Sequence, residues 1–344
     1  MSMWGLGSVN EVSRLSVNAR THFSAARDTY AALDLGTNNC RLLVARSAPQ
    51  GFRVIDAFSR IVRLGEGLAT SGMLSEAAMA RAIEALRICA DKVTQRRVTR
   101  ARYVATEACR RAANCADFIE RIYTQTGMPI EIISSEEEAR LVVSGCAPLL
   151  DPDIPRAIII DIGGGSTEVA WLGWSRNRLP EILAATSVPH GVVTMTDRYG
   201  GREISETTYD AMVSEMRAAI RPFDELNGIS PYVAAGSVQI LGSSGTVTTL
   251  GGLHLQLPRY SRVQVDGLML SFAEIERLSQ MLLRMPYQER GNNPCIGTER
   301  ADLVISGCAI LDAVRQTWPV GRLRVADRGI REGLLAGLIE AALW

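Results

Sequence analysis

The feature that most constrains this fold is the segment at residues 161–168, which reads Asp-Ile-Gly-Gly-Gly-Ser-Thr-Glu. An apolar run at 157–160, with three isoleucines, precedes it, and another apolar run at 169–172 follows it. Short apolar runs bounded by turn residues are typical of buried strands. The three glycines carry no Cβ, so the N–H groups of the turn can approach a phosphate closely. The segment therefore predicts a β-hairpin whose glycines either cradle an anion or only make the turn.

Polar side chains at the ends of this hairpin suit the chemistry of a phosphate site. Asp161 ends the first apolar run and offers a carboxylate to a hard cation such as Mg²⁺, directly or through water. Ser166 and Thr167 add two hydroxyl donors. These residue types predict a site for a phosphate together with its counter-ion.

A second copy of the pattern lies near the start of the chain. Residues 30–39 read Tyr-Ala-Ala-Leu-Asp-Leu-Gly-Thr-Asn-Asn, and Arg-Leu-Leu-Val-Ala follows at 41–45. Asp34 in this copy stands where Asp161 stands in the other, at the end of an apolar strand and two residues before a glycine. Two such hairpins in one chain predict two similar halves that face one anionic ligand.

Duplicated hairpins of this kind resemble the superfold shared by actin, Hsp70 and the sugar kinases. Within it, Asp-Leu-Gly-Thr-Asn at 34–38 and the segment at 161–168 resemble the exopolyphosphatase / guanosine pentaphosphate phosphohydrolase (Ppx/GppA) family in its short, two-domain form. The resemblance implies an α/β fold of two ribonuclease-H-like domains with the ligand cleft between them.

The strongest linker signal in the chain is Asp-Pro-Asp-Ile-Pro at 151–155. We therefore expect a mobile N-terminal extension at 1–28, a first domain at 29–150 and a second domain at 151–328. Residues 329–344 are expected to form a C-terminal helix that returns to the first domain. Each domain then carries one of the two hairpins.

Composition argues against several classes of protein. The formal net charge is zero, which disfavours nucleic-acid binding through bulk basicity. No apolar run approaches the ~18 residues of a membrane span, and the N-terminus lacks the apolar core of a secretion signal. The seven cysteines contain no Cys-x-x-Cys pair, which predicts reduced thiols in a cytoplasm.

Lys92 is the only lysine and precedes Val93, so a Gly-Lys-Ser/Thr phosphate loop is excluded. Phosphate recognition must then use arginines and backbone amides.

Glu138 admits two interpretations. Residues 134–141 read Ser-Ser-Glu-Glu-Glu-Ala-Arg-Leu and begin a helix, in which Ser135 and Glu138 fit a capping box. Taken locally, this structural account is favoured. The Glu-Glu-Ala-Arg-Leu segment of the family is reproduced at 137–141, however, and the resemblance implies that Glu138 is the catalytic base. Glu136 and Glu137 are the neighbouring alternatives.

The resemblance also assigns roles to residues whose local sequence leaves alternatives open. Arg110 matches the arginine of the Thr-x-x-x-Arg segment of the family, which faces the substrate, although it could equally be a solvated helix charge. The turn at 242–246 either caps a helix or forms another anion-binding helix N-terminus. The segments at 300–302 and 327–333 suit a ligand contact or an interdomain salt bridge.

The expected site therefore has three sets of residues. Glu138 and Glu168 are the catalytic pair, and Asp161, Glu168 and Asp34 hold Mg²⁺. The expected phosphate-binding residues are Gly36, Thr37, Asn38, Arg110, Gly163, Gly164, Gly165, Ser166, Thr167, Gly245 and Thr246.

The resemblance implies an enzyme that hydrolyses the terminal phosphoanhydride bond of inorganic polyphosphate and releases orthophosphate. Removal of the 5′-phosphate from guanosine pentaphosphate at the same site is the nearest alternative. A kinase of the sugar or acetate type and a non-catalytic nucleotide or polyphosphate sensor are the others, and a sensor has no need of a base at Glu138. We also expect a cytoplasmic homodimer that binds neither nucleic acid nor membrane.

Overall fold

The computed structural model describes residues 28–49 and 51–342. The expected mobile extension at 1–28 lies outside the described residues except for Asp28. Within the described part of the chain, none of the helices combines the length and the apolar character that crossing a membrane requires.

The first sheet has five strands in the order β3-β2-β1-β4-β5. Its strands are β1 (Thr29–Leu35), β2 (Asn39–Ala48), β3 (Gly51–Ile61), β4 (Arg100–Ala105) and β5 (Glu131–Ile132). The helices of this half are α1 (Leu68–Ser71), α2 (Glu76–Gln95), α3 (Glu107–Arg111), α4 (Cys115–Thr126) and α5 (Ser135–Cys146). Strands β1, β2 and β3 form an antiparallel meander, whereas β4 runs parallel to β1.

The second sheet has six strands in the order β10-β11-β9-β6-β7-β8. Its strands are β6 (Arg156–Ile162), β7 (Thr167–Trp174), β8 (Pro180–Val188), β9 (Val238–Ser243), β10 (Met269–Ser271) and β11 (Arg322–Ala326). The helices of this half are α6 (Val192–Tyr199), α7 (Glu206–Asn227), α8 (Ile229–Ala234), α9 (Gly245–His254), α10 (Arg262–Val265), α11 (Phe272–Arg284), α12 (Tyr287–Asn292) and α13 (Val304–Thr317). The last helix, α14 (Ile330–Glu340), packs against β1 of the first sheet and against α5.

The two halves repeat one topology. In the second sheet β6, β7 and β8 form the antiparallel meander, and β9 runs parallel to β6 as β4 does to β1. The register of the two hairpins also agrees, because Asp34 pairs with Arg41 and Asp161 pairs with Glu168. The prediction of two like α/β halves is confirmed. Since parallel neighbours end at the same edge of a sheet, the turns after β1 and β6 lie beside the ends of β4 and β9.

Three hydrophobic cores organise the molecule. One lies in the first half, between its sheet and α2 and α4, and a larger one fills the second half. The third joins the halves, because it contains residues of both sheets together with residues of α5 and α14. The two helices cross so closely that a Cβ on Gly145 would lie 2.2 Å from the carbonyl oxygen of Gly329, and one on Gly333 would lie 2.1 Å from that of Leu141. This crossing joins the halves at one side and leaves a cleft at the ends of the strands.

Candidate active site

Two adjoining cavities lie where β1 and β6 end. Their volumes are about 880 and about 110 Å³. Asp34, Arg41, Asp161, Gly245 and Arg300 line both cavities. The predicted cleft between the two halves is therefore present, and the strand-end aspartates of both hairpins face it.

The turns of the two hairpins touch each other beside the smaller cavity. A Cβ on Gly164 would lie 3.0 Å from the amide nitrogen of Asn38 and 3.0 Å from the Cβ of Thr37. A Cβ on Gly191 would lie only 2.4 Å from the carbonyl carbon of Gly164. Glycine is needed at 164 and 191 because backbone approaches backbone there.

Glu138 lies at the smaller cavity and is only 6% exposed. The helix α5 is capped by Ser134, whose side chain accepts a hydrogen bond from the amide of Glu137. The expected capping box of Ser135 with Glu138 is therefore wrong by one residue. The Glu138 carboxylate instead accepts a hydrogen bond of 2.7 Å from Arg110. The purely structural account of Glu138 as a capping residue is thus removed.

Four carboxyl groups near the cavities affect one another. Burial raises the pKa of Glu138 well above its usual range, and the nearby Glu168 adds to this rise while Arg110 opposes it. Burial likewise raises the pKa of Asp161 to about 6 and that of Glu168 to about 7, and raises the pKa of Asp34. Both burial and neighbouring negative charge penalise the ionised forms. A cation placed among these groups would relieve that penalty.

The predicted three-carboxylate metal site is not assembled as expected. Among the described residues, no group of three or more Asp, Glu, His or Cys side chains is placed to hold one metal ion. One oxygen of Glu168 accepts hydrogen bonds of 2.6 and 2.8 Å from the hydroxyls of Ser166 and Ser187, and Glu168 lines neither cavity. The Glu168 carboxylate is therefore already held by protein donors.

Asp34 and Asp161 fit a magnesium ion better. Both line the two cavities, and the buried Oδ1 of Asp34 has no hydrogen-bond partner among the described residues. Mg²⁺ commonly binds through one or two carboxylates and keeps several waters. Two hard oxygen donors at a polar cavity match that preference.

The predicted phosphate-binding residues separate into two groups. The smaller cavity is lined by Gly36, Thr37, Asn38, Gly163, Gly164, Gly245 and Thr246. Four predicted residues do not line either cavity: Arg110, Gly165, Ser166 and Thr167. Gly165 packs against Thr37 and Glu107, and the hydroxyls of Ser166 and Thr167 donate to Glu168 and to the carbonyl oxygen of His190. The second hairpin thus uses its hydroxyls to hold itself together.

Arg110 also differs from its prediction. Its Nη1 donates to Glu138 and, at 3.0 Å, to the carbonyl oxygen of Ile133. Its Nε and Nη2 both donate to one oxygen of Glu107, at 3.2 and 3.0 Å. The fork that was expected to face phosphate is used by two carboxylates, so Arg110 acts on Glu138 rather than as a free phosphate ligand.

A wall of three arginines was missed as a group by the sequence reasoning. Arg41, Arg300 and Arg331 line the larger cavity, and among the described residues none of the three side chains forms an ion pair or donates a hydrogen bond. Burial lowers the pKa of Arg300 and of Arg331, and the nearby Arg41 adds to the lowering in both. Arginine forks held without carboxylate partners at a cavity are suited to an anion with several phosphate groups. Arg41 could have been found from the predicted hairpin, in which it pairs with Asp34 across the two strands. Directly opposed residues share one face of the sheet, so Arg41 is expected on the same side as the aspartate.

Comparison with known proteins agrees with this geometry. A model of the Ppx/GppA phosphatase family matches residues 43–342. A solved Ppx/GppA family member from Aquifex aeolicus is 26% identical, over 91% of this chain and 98% of that chain, with a TM-score of 0.74. An exopolyphosphatase-like protein of solved structure is 28% identical over the same shares of the two chains, with a TM-score of 0.80.

A third solved structure supports the fold alone. An exopolyphosphatase from Cytophaga hutchinsonii is 24% identical over 91% of this chain and 98% of that chain, with a TM-score of 0.82. The predicted two-domain, actin-like architecture is confirmed by these matches together with the repeated sheets. Since the family model spans most of the sequence, the chain belongs to the Ppx/GppA phosphatase family.

Proposed function

We propose that this phosphatase is an exopolyphosphatase, which hydrolyses the terminal phosphoanhydride bond of inorganic polyphosphate and releases orthophosphate. The observation that carries the proposal is the contrast within one cleft. Glu138 lines only the smaller cavity and Arg331 lines only the larger one, while Arg41 and Arg300 line both, and none of the three arginines forms an ion pair within the described part of the chain. A chain of linked phosphates can reach both regions at once, whereas a single phosphate cannot. The names of the solved relatives, an exopolyphosphatase and an exopolyphosphatase-like protein, agree with this substrate class.

The terminal phosphate would lie in the smaller cavity, between the turns of the two hairpins. The backbone amide of Gly164 and the hydroxyl of Thr37 are the candidate donors there, since the amide of Gly36 already donates to the carbonyl oxygen of Asn39. The arginine wall would bind the phosphates that follow and hold the chain in line with the attacking water. This assignment makes the arginines responsible for binding and Glu138 responsible for the chemistry.

Glu138 would act as the general base. Water attacks the terminal phosphorus, the anhydride P–O bond breaks, and one proton of the water passes to the Glu138 carboxylate. The leaving group is the polyphosphate chain shortened by one unit. Because burial and Glu168 raise the pKa of Glu138, it accepts a proton more readily than an ordinary glutamate. Arg110 would orient this carboxylate through its 2.7 Å hydrogen bond.

Magnesium is the proposed cofactor, with Asp34 and Asp161 as its protein ligands. Enzymes of phosphoryl transfer generally use a divalent metal, which offsets charge on the transferring group. The orphaned Oδ1 of Asp34 and the raised pKa of Asp161 support a cation at this point. The roles of Glu168 as a metal ligand and of Mg²⁺ as the metal stay predictions, as do the homodimer and the cytoplasmic location.

Guanosine pentaphosphate is the second candidate substrate. Besides the three arginines, the aromatic residues Phe58 and Tyr260 line the larger cavity. A volume of about 880 Å³ has room for more than a phosphate chain. A nucleoside placed beside these rings would leave the 5′-phosphates in the same site.

Orthophosphate release tests the proposal. The protein is incubated with Mg²⁺ and, separately, long-chain polyphosphate, guanosine pentaphosphate and ATP with a sugar acceptor. We expect the highest kcat/KM for polyphosphate. Faster release from guanosine pentaphosphate would favour the second substrate, and phosphorylation of the acceptor would favour a kinase. Tight binding of polyphosphate without release would identify a sensor.

A further inference from the structure

An ion pair links the first half to the turn of the second half that carries Arg300. Arg63 follows β3 in the first half and donates to both carboxylate oxygens of Asp302, at 2.8 and 2.9 Å. Its Nη2 also donates to the carbonyl oxygen of Glu299, at 3.0 Å. Within the described chain, no other ion pair links residues 28–149 with residues 151–328. The two side chains are 29% and 16% exposed, so the pair is partly shielded from water.

Arg63 is tied at its backbone to the first hairpin. The amides of Val62 and Arg63 donate to the carbonyl oxygen of Asn38, at 2.9 and 3.0 Å. The amide of Gly65 donates to the carbonyl oxygen of Thr37, at 2.9 Å. Arg63 has φ of 46°, a left-handed conformation that costs a residue with a side chain about 1 kcal/mol. Its surroundings therefore hold a conformation that the residue would not prefer by itself.

On the other side, Asp302 belongs to the turn that presents Arg300. Arg300 faces the cavities from this turn, which leads into α13. The hydroxyl of Thr196, also in the second half, donates a hydrogen bond of 3.4 Å to the carbonyl oxygen of Asp302. Arg63 therefore holds two groups of this turn, the carbonyl of Glu299 and the carboxylate of Asp302, on either side of Arg300.

We propose that Arg63 is a positioning residue, which fixes the turn at 299–302 from the first half and so sets where the Arg300 guanidinium stands in the cleft. The consequence is that a side chain tied to the first hairpin helps to place Arg300 relative to Arg41, which that hairpin carries itself. The inference rests on the proposed function only in taking a chain of phosphates as the ligand. Two nitrogens of the planar Arg63 guanidinium donate to three acceptors, the two carboxylate oxygens of Asp302 and the carbonyl oxygen of Glu299. Lysine can supply the charge but not this planar fork.

A double-mutant cycle tests this assignment. The affinity for inorganic tripolyphosphate with Mg²⁺ is measured by titration calorimetry for the parent, Arg63→Ala, Arg300→Ala and the double variant. We expect Arg63→Ala to weaken binding about tenfold. The loss arises because Arg300 is no longer held in place and its charged contact with the phosphates weakens. The double variant should bind no more weakly than Arg300→Ala alone, because Arg63 acts through Arg300. Losses that add in the double variant, or no loss in Arg63→Ala, would overturn the proposal.

Further variants separate positioning from folding. Arg63→Lys should bind nearly as weakly as Arg63→Ala, and recovery of parent affinity would overturn the need for a fork. Asp302→Asn removes the negative charge of the same ion pair and should also weaken the binding of tripolyphosphate. Arg121→Ala is the matched control, since Arg121 pairs with the exposed Glu76 in the same half and should leave affinity unchanged. Parent protein that binds tripolyphosphate but releases no orthophosphate would reject the proposed function and leave the result of the cycle standing.

Discussion

The two hairpins share a strand order and a register, and they differ in the charge opposite their aspartates. In the first hairpin Asp34 faces Arg41 across the strand pair, and in the second Asp161 faces Glu168. The first turn spans residues 36–38 and the second spans 163–166. A repeated scaffold has thus been given opposite charges at one equivalent position.

Because of this difference, the two copies of one fold contribute different charges to the site. Arg41 belongs to a wall of arginines that suits anionic ligands, and Glu168 is a nearby negative charge that raises the pKa of Glu138. The first hairpin sets a carboxylate, Asp34, opposite an arginine, whereas both opposed residues of the second hairpin are carboxylates. Contact between Gly164 and the turn of the first hairpin brings the two environments together at one cavity.

The largest expected effect comes from Glu138, which lines the smaller cavity. Glu138→Gln keeps the shape and removes the base, so kcat should fall about 10²–10⁴-fold while polyphosphate binding remains. Glu137→Gln is the matched control, because the neighbouring Glu137 pairs with Arg102 instead of Arg110. Steady-state rates of orthophosphate release compare the two. Equal rates for Glu138→Gln and the parent would remove Glu138 from the chemistry.

The Mg²⁺ concentration needed for half-maximal activity should depend more on Asp34 and Asp161 than on Glu168. Asp34→Asn and Asp161→Asn should each raise the Mg²⁺ concentration for half-maximal activity roughly tenfold or more, because carboxylate charge binds the hard cation. Glu168→Gln should raise it less, since Ser166 and Ser187 already occupy its Oε1. A magnesium titration of each variant makes the comparison. The largest rise in Glu168→Gln would restore the predicted three-carboxylate site and contradict the two-aspartate site.

Two glycines, one from each turn, should differ in their tolerance of a methyl group. Gly164→Ala brings a Cβ to 3.0 Å from the backbone of Asn38 and should lower the free energy of unfolding by about 1–3 kcal/mol. Gly36→Ala meets nothing closer than 3.5 Å and should change it by about 0.5 kcal/mol or less. Urea unfolding of the two variants tests this. Equal losses would show that the turns do not depend on the contact between the hairpins.

The smallest effect concerns a charge cluster away from both turns. Lys92 and Arg96 hold the pKa of Asp56 down at about 2, against an ordinary value of 3.8. A carboxyl whose folded pKa is lowered stabilises the protein above pH 3.8, and that contribution is lost as the pH falls through about 2. Asp56→Asn should therefore cost about 1 kcal/mol at neutral pH, discounted because Arg96 is open to solvent.

Thermal unfolding of Asp56→Asn and the parent from neutral pH to pH 3 measures this difference. It should shrink on acidification, and orthophosphate release at neutral pH should be unchanged. A difference that stays constant would mean that Asp56 stabilises by packing rather than by charge.

Sequence reasoning succeeded where the signal was local. The two hairpins, Asp34 and Asp161 follow from an apolar strand, an aspartate and glycines within ten residues, and the structure places both aspartates at the cleft. The helix cap was misplaced because Ser134 and Ser135 are chemically alike. Which of the two serines caps depends on where the helix begins, and Glu138 is drawn away from the cap by Arg110, a residue 28 positions earlier in the chain.

Contacts between distant segments could not be read from the chain. The fork of Arg110 is used by Glu107, Glu138 and the carbonyl of Ile133, which only the folded backbone brings together. The segment at 300–302 had two possible roles, and the structure gives one to each charged residue: Asp302 forms the salt bridge and Arg300 lines the cavities. Neighbouring residues in a turn point in different directions, so one segment can serve both purposes.

The central claim is that the cleft between the hairpins removes phosphate from the end of a polyphosphate chain. Phosphorus NMR of the protein with Mg²⁺ and long-chain polyphosphate tests it directly, because terminal, internal and free phosphate give separate signals. The account predicts that orthophosphate grows while the internal signal falls and the number of chain ends stays constant until the chains are short. Growth in the number of chain ends, from cleavage inside the chain, or no orthophosphate at all would contradict it.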